Sequence, residues 1–321
     1  MTILTLTLNP AIDHVLWVDH FQLGQTIRAL RETRTPSGKG IGSSLVIHEL
    51  GGVTTAIGYT AGLAGDMLIA LLDGAHIAHD LLPVAGETRI ATLIVDQQSG
   101  QQSTVSAATL RVTESDLARL LEQLDSHAPS AWGIICAGSL PPGLPADAYA
   151  TIMRHLNAAG LFTLLDTSGP ALTAGISGLP HVLKINAEEA RSLSADLTLA
   201  VASPAETVAS LAQLHRFRGV WARDALVVTL GQHGALAITP EGNYRVHPLS
   251  VPVVSTAGAG DALNAGLMLA LSRGESWASA LAWGTAAASS VVMNAGTAVC
   301  QRRQVAELYS QVTVEEITFH D

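Results

Sequence analysis

Ser255-Thr256-Ala257-Gly258-Ala259-Gly260-Asp261 follows a β-type run over 244–254 and opens a helical one over 261–271, with Leu263, Leu267 and Ala270 on one face. Two glycines flanking an alanine let the backbone turn sharply and aim successive N–H groups at one point. The N-terminus of the following helix adds its partial positive charge, so the loop is built to hold an anion such as a phosphate. Asp261, in the first turn, has two readings on pattern alone. It caps the helix, or its carboxylate faces the anion as a base for an attacking hydroxyl.

Outward from this segment the chain alternates. Strands are expected over 133–137, 162–166, 182–185, 226–230 and 235–239, with helices over 117–124, 147–158, 188–193 and 206–217. The N-terminal part adds a strand over 3–8, a Gly-rich turn over 37–42 leading into a helix through Leu50, a strand over 54–59 and a helix over 66–72. This order predicts an α/β protein with a mostly parallel sheet covered on both faces. Segments over 15–19, 26–33, 89–96 and 103–107 break the alternation, the last two joined by the hairpin-type Gln97-Gln98-Ser99-Gly100. They predict a small accessory β-sheet made of two insertions, at about 12–35 and 87–108.

Composition narrows the class. A formal net charge of −10 argues against nucleic acid and against anionic membrane surfaces. The Ala-rich stretch 280–299 has the length of a membrane span, but its Thr, Ser, Asn and Gly residues suit a buried, closely packed helix instead. The two cysteines, Cys136 and Cys300, fit a reduced cytosol, with Cys136 in the core. The only lysines are Lys39, in a Gly-rich turn, and Lys184, at a strand end, both places where a phosphate could be met.

Two nucleotide motifs are excluded. Lys39 is followed by Gly40, so no P-loop is formed, and Leu263 stands where a dinucleotide-binding loop needs its third glycine. What remains is a set of polar segments at expected strand ends: Asn9-Pro10-Ala11-Ile12-Asp13, Ser37-Gly38-Lys39-Gly40, Gly138-Ser139, Lys184-Ile185-Asn186-Ala187-Glu188-Glu189, and Thr229-Leu230-Gly231-Gln232-His233-Gly234. Ligands of open α/β sheets bind at the carboxyl ends of strands. Each segment alone is also a plausible turn or cap, Asn186 and Glu189 for example forming a capping box. His76 and His79 lack a third metal ligand, and Gly138-Ser139 lacks the frame of a nucleophile elbow.

Taken together and in order, these segments resemble the phosphofructokinase B family of the ribokinase superfamily over essentially the whole chain. The resemblance implies a ribokinase-like three-layer sandwich with a β-sheet lid, and ATP and Mg2+ as cofactors. An isolated small sheet leaves an apolar face and open edges, so a homodimer through the lid is expected, in a cytoplasmic protein as the cysteines suggest. The resemblance makes Asp261 the catalytic base and Gly258, Ala259 and Gly260 the anion hole for the transferring phosphate. Asn186 and Glu189 match the family's Asn-x-x-Glu motif, acting on magnesium through water. Lys184, Thr229, Gly231, Gly234 and Gly260 fall on the ATP side, and Asp13, Gly38, Lys39 and Ser139 on the sugar side. The opening Thr-Leu-Asn-Pro-Ala-Ile-Asp, Ser255-Thr256-Ala257 and Asn294-Ala295-Gly296-Thr297 look like the branch acting on already phosphorylated ketohexoses. Arg28 and Arg89 match its substrate-phosphate positions, and are expected to converge with Lys39. Gly42 stands in place of the family's usual asparagine, Ser37 in place of a glycine, and Ala91 in place of another asparagine. The first departure leaves a kinase of a free sugar or nucleoside as the alternative, beside a non-catalytic sugar-phosphate binder.

Overall fold

The strand Thr2–Thr7, buried from Ile3 onward, takes parallel partners on both sides, Ala131–Ala137 and Val53–Thr60. Its side chains alternate between two cores. Leu4 and Leu6 join Ile134 and Cys136 on one face, and Ile3 joins Ile135 and Ala137 on the other. In this computed structural model, which describes residues 1–107 and 110–318, that strand belongs to a ten-stranded sheet. From one edge the order is Val314–Glu316, Asn243–Val246, Ala235–Ile238, Ala225–Thr229, Val182–Asn186, Phe162–Asp166, Ala131–Ala137, Thr2–Thr7, Val53–Thr60 and Ala78–Pro83. Pairing is parallel from Ala225–Thr229 to Ala78–Pro83 and antiparallel beyond Ala225–Thr229. Helices Glu114–His127, Ala148–Ala158 and Pro204–His215 cover one face, and Lys39–Glu49, Ala259–Ser272 and Trp277–Val292 the other. This is the expected three-layer α/β sandwich.

A separate four-stranded sheet has the order Arg31–Ser37, Ala11–Val18, Arg89–Asp96 and Gln102–Ser106. Residue 108, the last of the second expected insertion, lies outside the described residues. The strand expected over 26–33 is displaced to Arg31–Ser37, because the ladder is set by Ala11 opposite Ser37 and Trp17 opposite Arg31, whereas Leu30 is exposed. Asp13 and Arg89 share one face, since Ala11 pairs with Arg89 and Asp13 lies two residues on.

Other boundaries also move. The β-run expected over 244–254 ends at Val246, where Pro248 and Pro252 remove backbone donors. The turn expected over 37–42 is shorter: Gly38 is the cap, and the helix starts at Lys39 with Gly40 and Gly42 inside it. The edge strand Ala78–Pro83 and the helices Gly169–Gly175 and Arg302–Tyr309 were not expected; His79 and Asp80 interrupt the apolar pattern of the first.

The 280–299 stretch contributes the helix Trp277–Val292, packed closely on Ala259–Ser272. A Cβ on Gly266 would lie 2.6 Å from the Trp283 carbonyl oxygen, and one on Gly284 2.8 Å from that of Leu263. Gly284→Leu should therefore destabilise the protein by about 1–3 kcal/mol, the range for overpacking, read as a lower denaturation midpoint. An unchanged midpoint would show that the helices can separate freely. Among the described residues no helix is long and apolar enough to cross a membrane.

Candidate active site

The carboxyl ends of the parallel strands bring the polar segments to one edge of the sheet. Gly258 caps the helix Ala259–Ser272 with φ +83, and a Cβ on it would sit 2.3 Å from the backbone nitrogen of Ala298. Only glycine accepts both the left-handed backbone and that contact. Among the described residues the N–H groups of Gly258, Gly260 and Asp261 have no acceptor, whereas Ala259 N–H donates to the Thr256 carbonyl at 3.3 Å. The open donors are thus 258, 260 and 261, a correction to the expected 258–260, because the turn folds the Ala259 amide back onto the loop.

Asp261 is not a cap: its side chain makes no capping hydrogen bond, nor any other among the described residues. The residue is only 7 % exposed. Burial, reinforced by the charges of Asp166 and Asp13 against those of Lys184 and Lys39, pushes its carboxyl up to about 7. A buried carboxylate with a free lone pair and a pKa near neutrality is suited to take a proton. Gly42 lies against it, since a Cβ there would stand 2.6 Å from Asp261 Oδ2. The position that departs from the family pattern is thus where the carboxylate itself rests.

Both lysines meet one residue that the sequence did not single out. Lys39 Nζ donates to Asp166 Oδ1 at 2.7 Å, and Lys184 Nζ to Asp166 Oδ2 at 2.9 Å. Burial alone would raise the Asp166 carboxyl, but the two ammonium groups outweigh it and hold it well below the usual carboxylate range. Lys184 Nζ also lies 2.7 Å from where a Cβ on Gly260 would be, which places it beside the open helix turn.

On the other side, Asp13 Oδ2 accepts from Thr297 Oγ1 at 2.6 Å, so the loop behind Gly258 also holds the small sheet. Arg89 is half-buried; it reaches only the Asn9 carbonyl, at 3.3 Å, and its buried Nε has no partner among the described residues. Burial lowers its pKa and the charge of Asp13 opposes that. Asn9 Nδ2 donates to Ser139 Oγ at 3.2 Å. Of the three cations expected to converge, Arg89 keeps to the Asn9 carbonyl among the described residues. Lys39 turns to Asp166, and Arg28 is exposed with no hydrogen bond or ion pair among the described residues.

A cleft of about 610 Å³ opens beside Asn186, Thr229, Leu230, Gly231 and His233, with Arg191 and Arg245 as further lining that the sequence did not indicate. Its size suits a nucleotide. Gly234 does not line it; a Cβ there would strike the Val246 carbonyl, so this glycine serves the turn. Asn186 and Glu189 form the capping box of Ala187–Leu193: Asn186 Oδ1 accepts from the amides of Glu188 and Glu189, and Glu189 Oε2 from that of Asn186. Glu189 Oε1 is left for another partner. No cluster of three metal-ligating side chains occurs among the described residues. This donor set fits a magnesium ion held mainly by nucleotide phosphates and water, with one carboxylate nearby.

The pfkB family carbohydrate kinase model matches residues 6–304. The ATP-dependent 6-phosphofructokinase isozyme 2 of Mycobacterium tuberculosis is 31% identical over 307 residues, covering 96% of this chain and 88% of that protein. The crystal structure of phosphofructokinase-2 from Escherichia coli in complex with potassium superposes with a TM-score of 0.85 at 27% identity, covering 96% of this chain and 98% of that one. Ribokinase from Thermotoga maritima shares the fold, with a TM-score of 0.74 at 20% identity over 97% of this chain and 99% of its own.

Proposed function

Because the chain belongs to the pfkB family of carbohydrate kinases, we propose that it transfers the γ-phosphoryl group of ATP to a hydroxyl of a phosphorylated ketohexose, of the fructose 6-phosphate, fructose 1-phosphate or tagatose 6-phosphate type. The observation that carries the chemistry is Asp261: a buried, unbonded carboxylate beside three open amide donors. Asp261 takes the hydroxyl proton while that oxygen bonds to the γ-phosphorus and the bond from phosphorus to the bridging oxygen of ADP breaks. The N–H groups of Gly258, Gly260 and Asp261 offer hydrogen bonds to the phosphoryl oxygens in flight. The cleft beside Thr229 and Gly231 takes the nucleotide, and Lys184 lies next to its phosphates. Magnesium, when bound, offsets the charge of those phosphates; Glu189 is the carboxylate free to hold it through water.

The substrate's own phosphate is assigned to Arg89. A half-buried guanidinium with an unused donor calls for an anion, and its fork binds phosphate in two places. Arg28, at the rim of the small sheet, is the second cation of this reading. Arg89→Ala should raise KM for the sugar phosphate by roughly ten- to hundredfold, as a charge-assisted hydrogen bond is worth about 1.5–3 kcal/mol, and leave KM for ATP nearly unchanged. Equal effects on both KM values would remove Arg89 from this role. Steady-state turnover against fructose, tagatose and ribose, free and phosphorylated, tests the substrate class; a preference for a free sugar would refute it.

The small sheet acts as a lid in this reading. Its edge strand Gln102–Ser106 is exposed throughout, and Ile90 and Val105 are exposed apolar side chains on one face. A second copy placed over that lid would cover them. Light scattering should report a dimer at micromolar concentration; a monomer would contradict it.

A further inference from the structure

Two lysines, Lys184 buried and Lys39 half-buried, share one cluster with an unpaired buried carboxylate, yet neither lysine pairs with that carboxylate. Both go instead to Asp166, and Asp261, close enough to feel their charges, forms no ion pair among the described residues. Asp166 is fully buried, and Asn264 Nδ2 donates to its Oδ2 at 2.7 Å, so three donors fix its orientation. Asn264 stands three residues after Asp261 on the same helix, which ties Asp166 to the element that carries the base.

We propose that Asp166 is a positioning residue for the proton transfer: it holds Lys39 and Lys184 off Asp261, leaving the Asp261 carboxylate free to accept the substrate hydroxyl proton. The inference rests on the reading of Asp261 as the base. The charges that act on Asp261 come from four elements: Asp166 at the end of Phe162–Asp166, Lys184 on Val182–Asn186, Lys39 at the start of Lys39–Glu49, and Asp13 on Ala11–Val18. With Asp166 ionised, the two lysines present one net positive charge to Asp261. Without it they present two, and the carboxylates left nearby to neutralise them are Asp261 and, for Lys39, Glu189 as well. A carboxylate paired with an ammonium group is a weak base, because the pair must be broken before a proton is accepted. During the reaction the proton moves to Asp261 and the electron pair of the O–H bond stays on the oxygen that bonds to phosphorus; Asp166 itself stays ionised.

The test is the titration of the Asp261 carboxyl carbon by 13C NMR in the ligand-free protein, together with the pH dependence of kcat. Asp166→Asn keeps the shape but cannot carry the charge that holds two ammonium groups. It should move the Asp261 titration downward by about one pH unit or more, the usual size for an opposite charge at close range. The acid limb of kcat should follow, at a reduced plateau. The double variant Asp166→Asn/Lys184→Met removes one charge of each sign, which also guards against a fold lost to an unpaired buried cation, and should bring the titration back towards the wild-type value. A folded Asp166→Asn protein whose Asp261 titration is unmoved or raised, or a double variant no closer to wild type than the single, would overturn the proposal. The NMR arm needs no substrate. Titrations that move as expected without turnover of any sugar phosphate would therefore leave Asp166 in place and refute the proposed function instead.

Discussion

Asp261→Asn should lower kcat by about 10²–10⁴, the usual contribution of a general base, with ATP binding largely kept. Asparagine keeps the shape of the side chain and cannot take the proton. The wild-type rate should also depend on pH in one direction. Only the ionised carboxylate accepts a proton, so kcat rises as pH climbs through the region near 7 to which burial pushes Asp261, then levels off. In Asp261→Asn that limb should vanish. Near-wild-type turnover, or a limb that survives the substitution, would show that another group is the base. A variant that lost stability while keeping kcat would point to a structural aspartate, although the absence of any capping bond already speaks against that.

Gly258→Ala should be nearly as damaging, for a different reason. The added Cβ meets the Ala298 backbone at a distance no real contact allows, so the turn must open and the donors of Gly258, Gly260 and Asp261 lose their common aim. Removing one donor of such a site costs about 10²–10³ in kcat. Gly274→Ala is the control. Gly274 has nearly the same backbone conformation, φ +78, but nothing lies within 4 Å of its Cβ position. Its substitution carries the backbone strain alone, roughly 1 kcal/mol, and should leave kcat unchanged. Equal loss of activity in the two variants would mean that helix-terminal strain, not the anion site, is responsible.

Much of this architecture is legible in the sequence because the parallel strands are short apolar runs bounded by turn residues, as at Phe162–Asp166, whose limits are as expected. The Asp261 loop is legible for the same reason, since a glycine pair before an apolar helix has few other uses. Exposed strands are harder. Arg31–Ser37 has four exposed residues at its start, so no burial pattern marks its register, and the partner strand decides it. Asp166 was hidden differently. It ends an apolar strand and has no local motif; its partners lie 127 and 18 residues away in the chain, so only the sheet brings them together. A signal was there: a carboxylate at a strand's carboxyl end, in a chain with just two lysines that each occupy a similar place. Asn264 carried a second, as a polar residue one turn after Asp261 in an otherwise apolar helix.

The most direct test of the central claim is the product itself. 31P NMR of the purified protein with ATP, magnesium and, in separate tubes, fructose 6-phosphate, fructose 1-phosphate, tagatose 6-phosphate and the free sugars reports both the ADP formed and the new phosphate ester. The proposed function predicts a ketohexose bisphosphate, with two phosphate-ester signals in equal amount to the ADP released, from at least one hexose phosphate and at a higher rate than from any free sugar. ADP formed together with a monophosphate ester from a free sugar, and no bisphosphate from any of the three hexose phosphates, would contradict it.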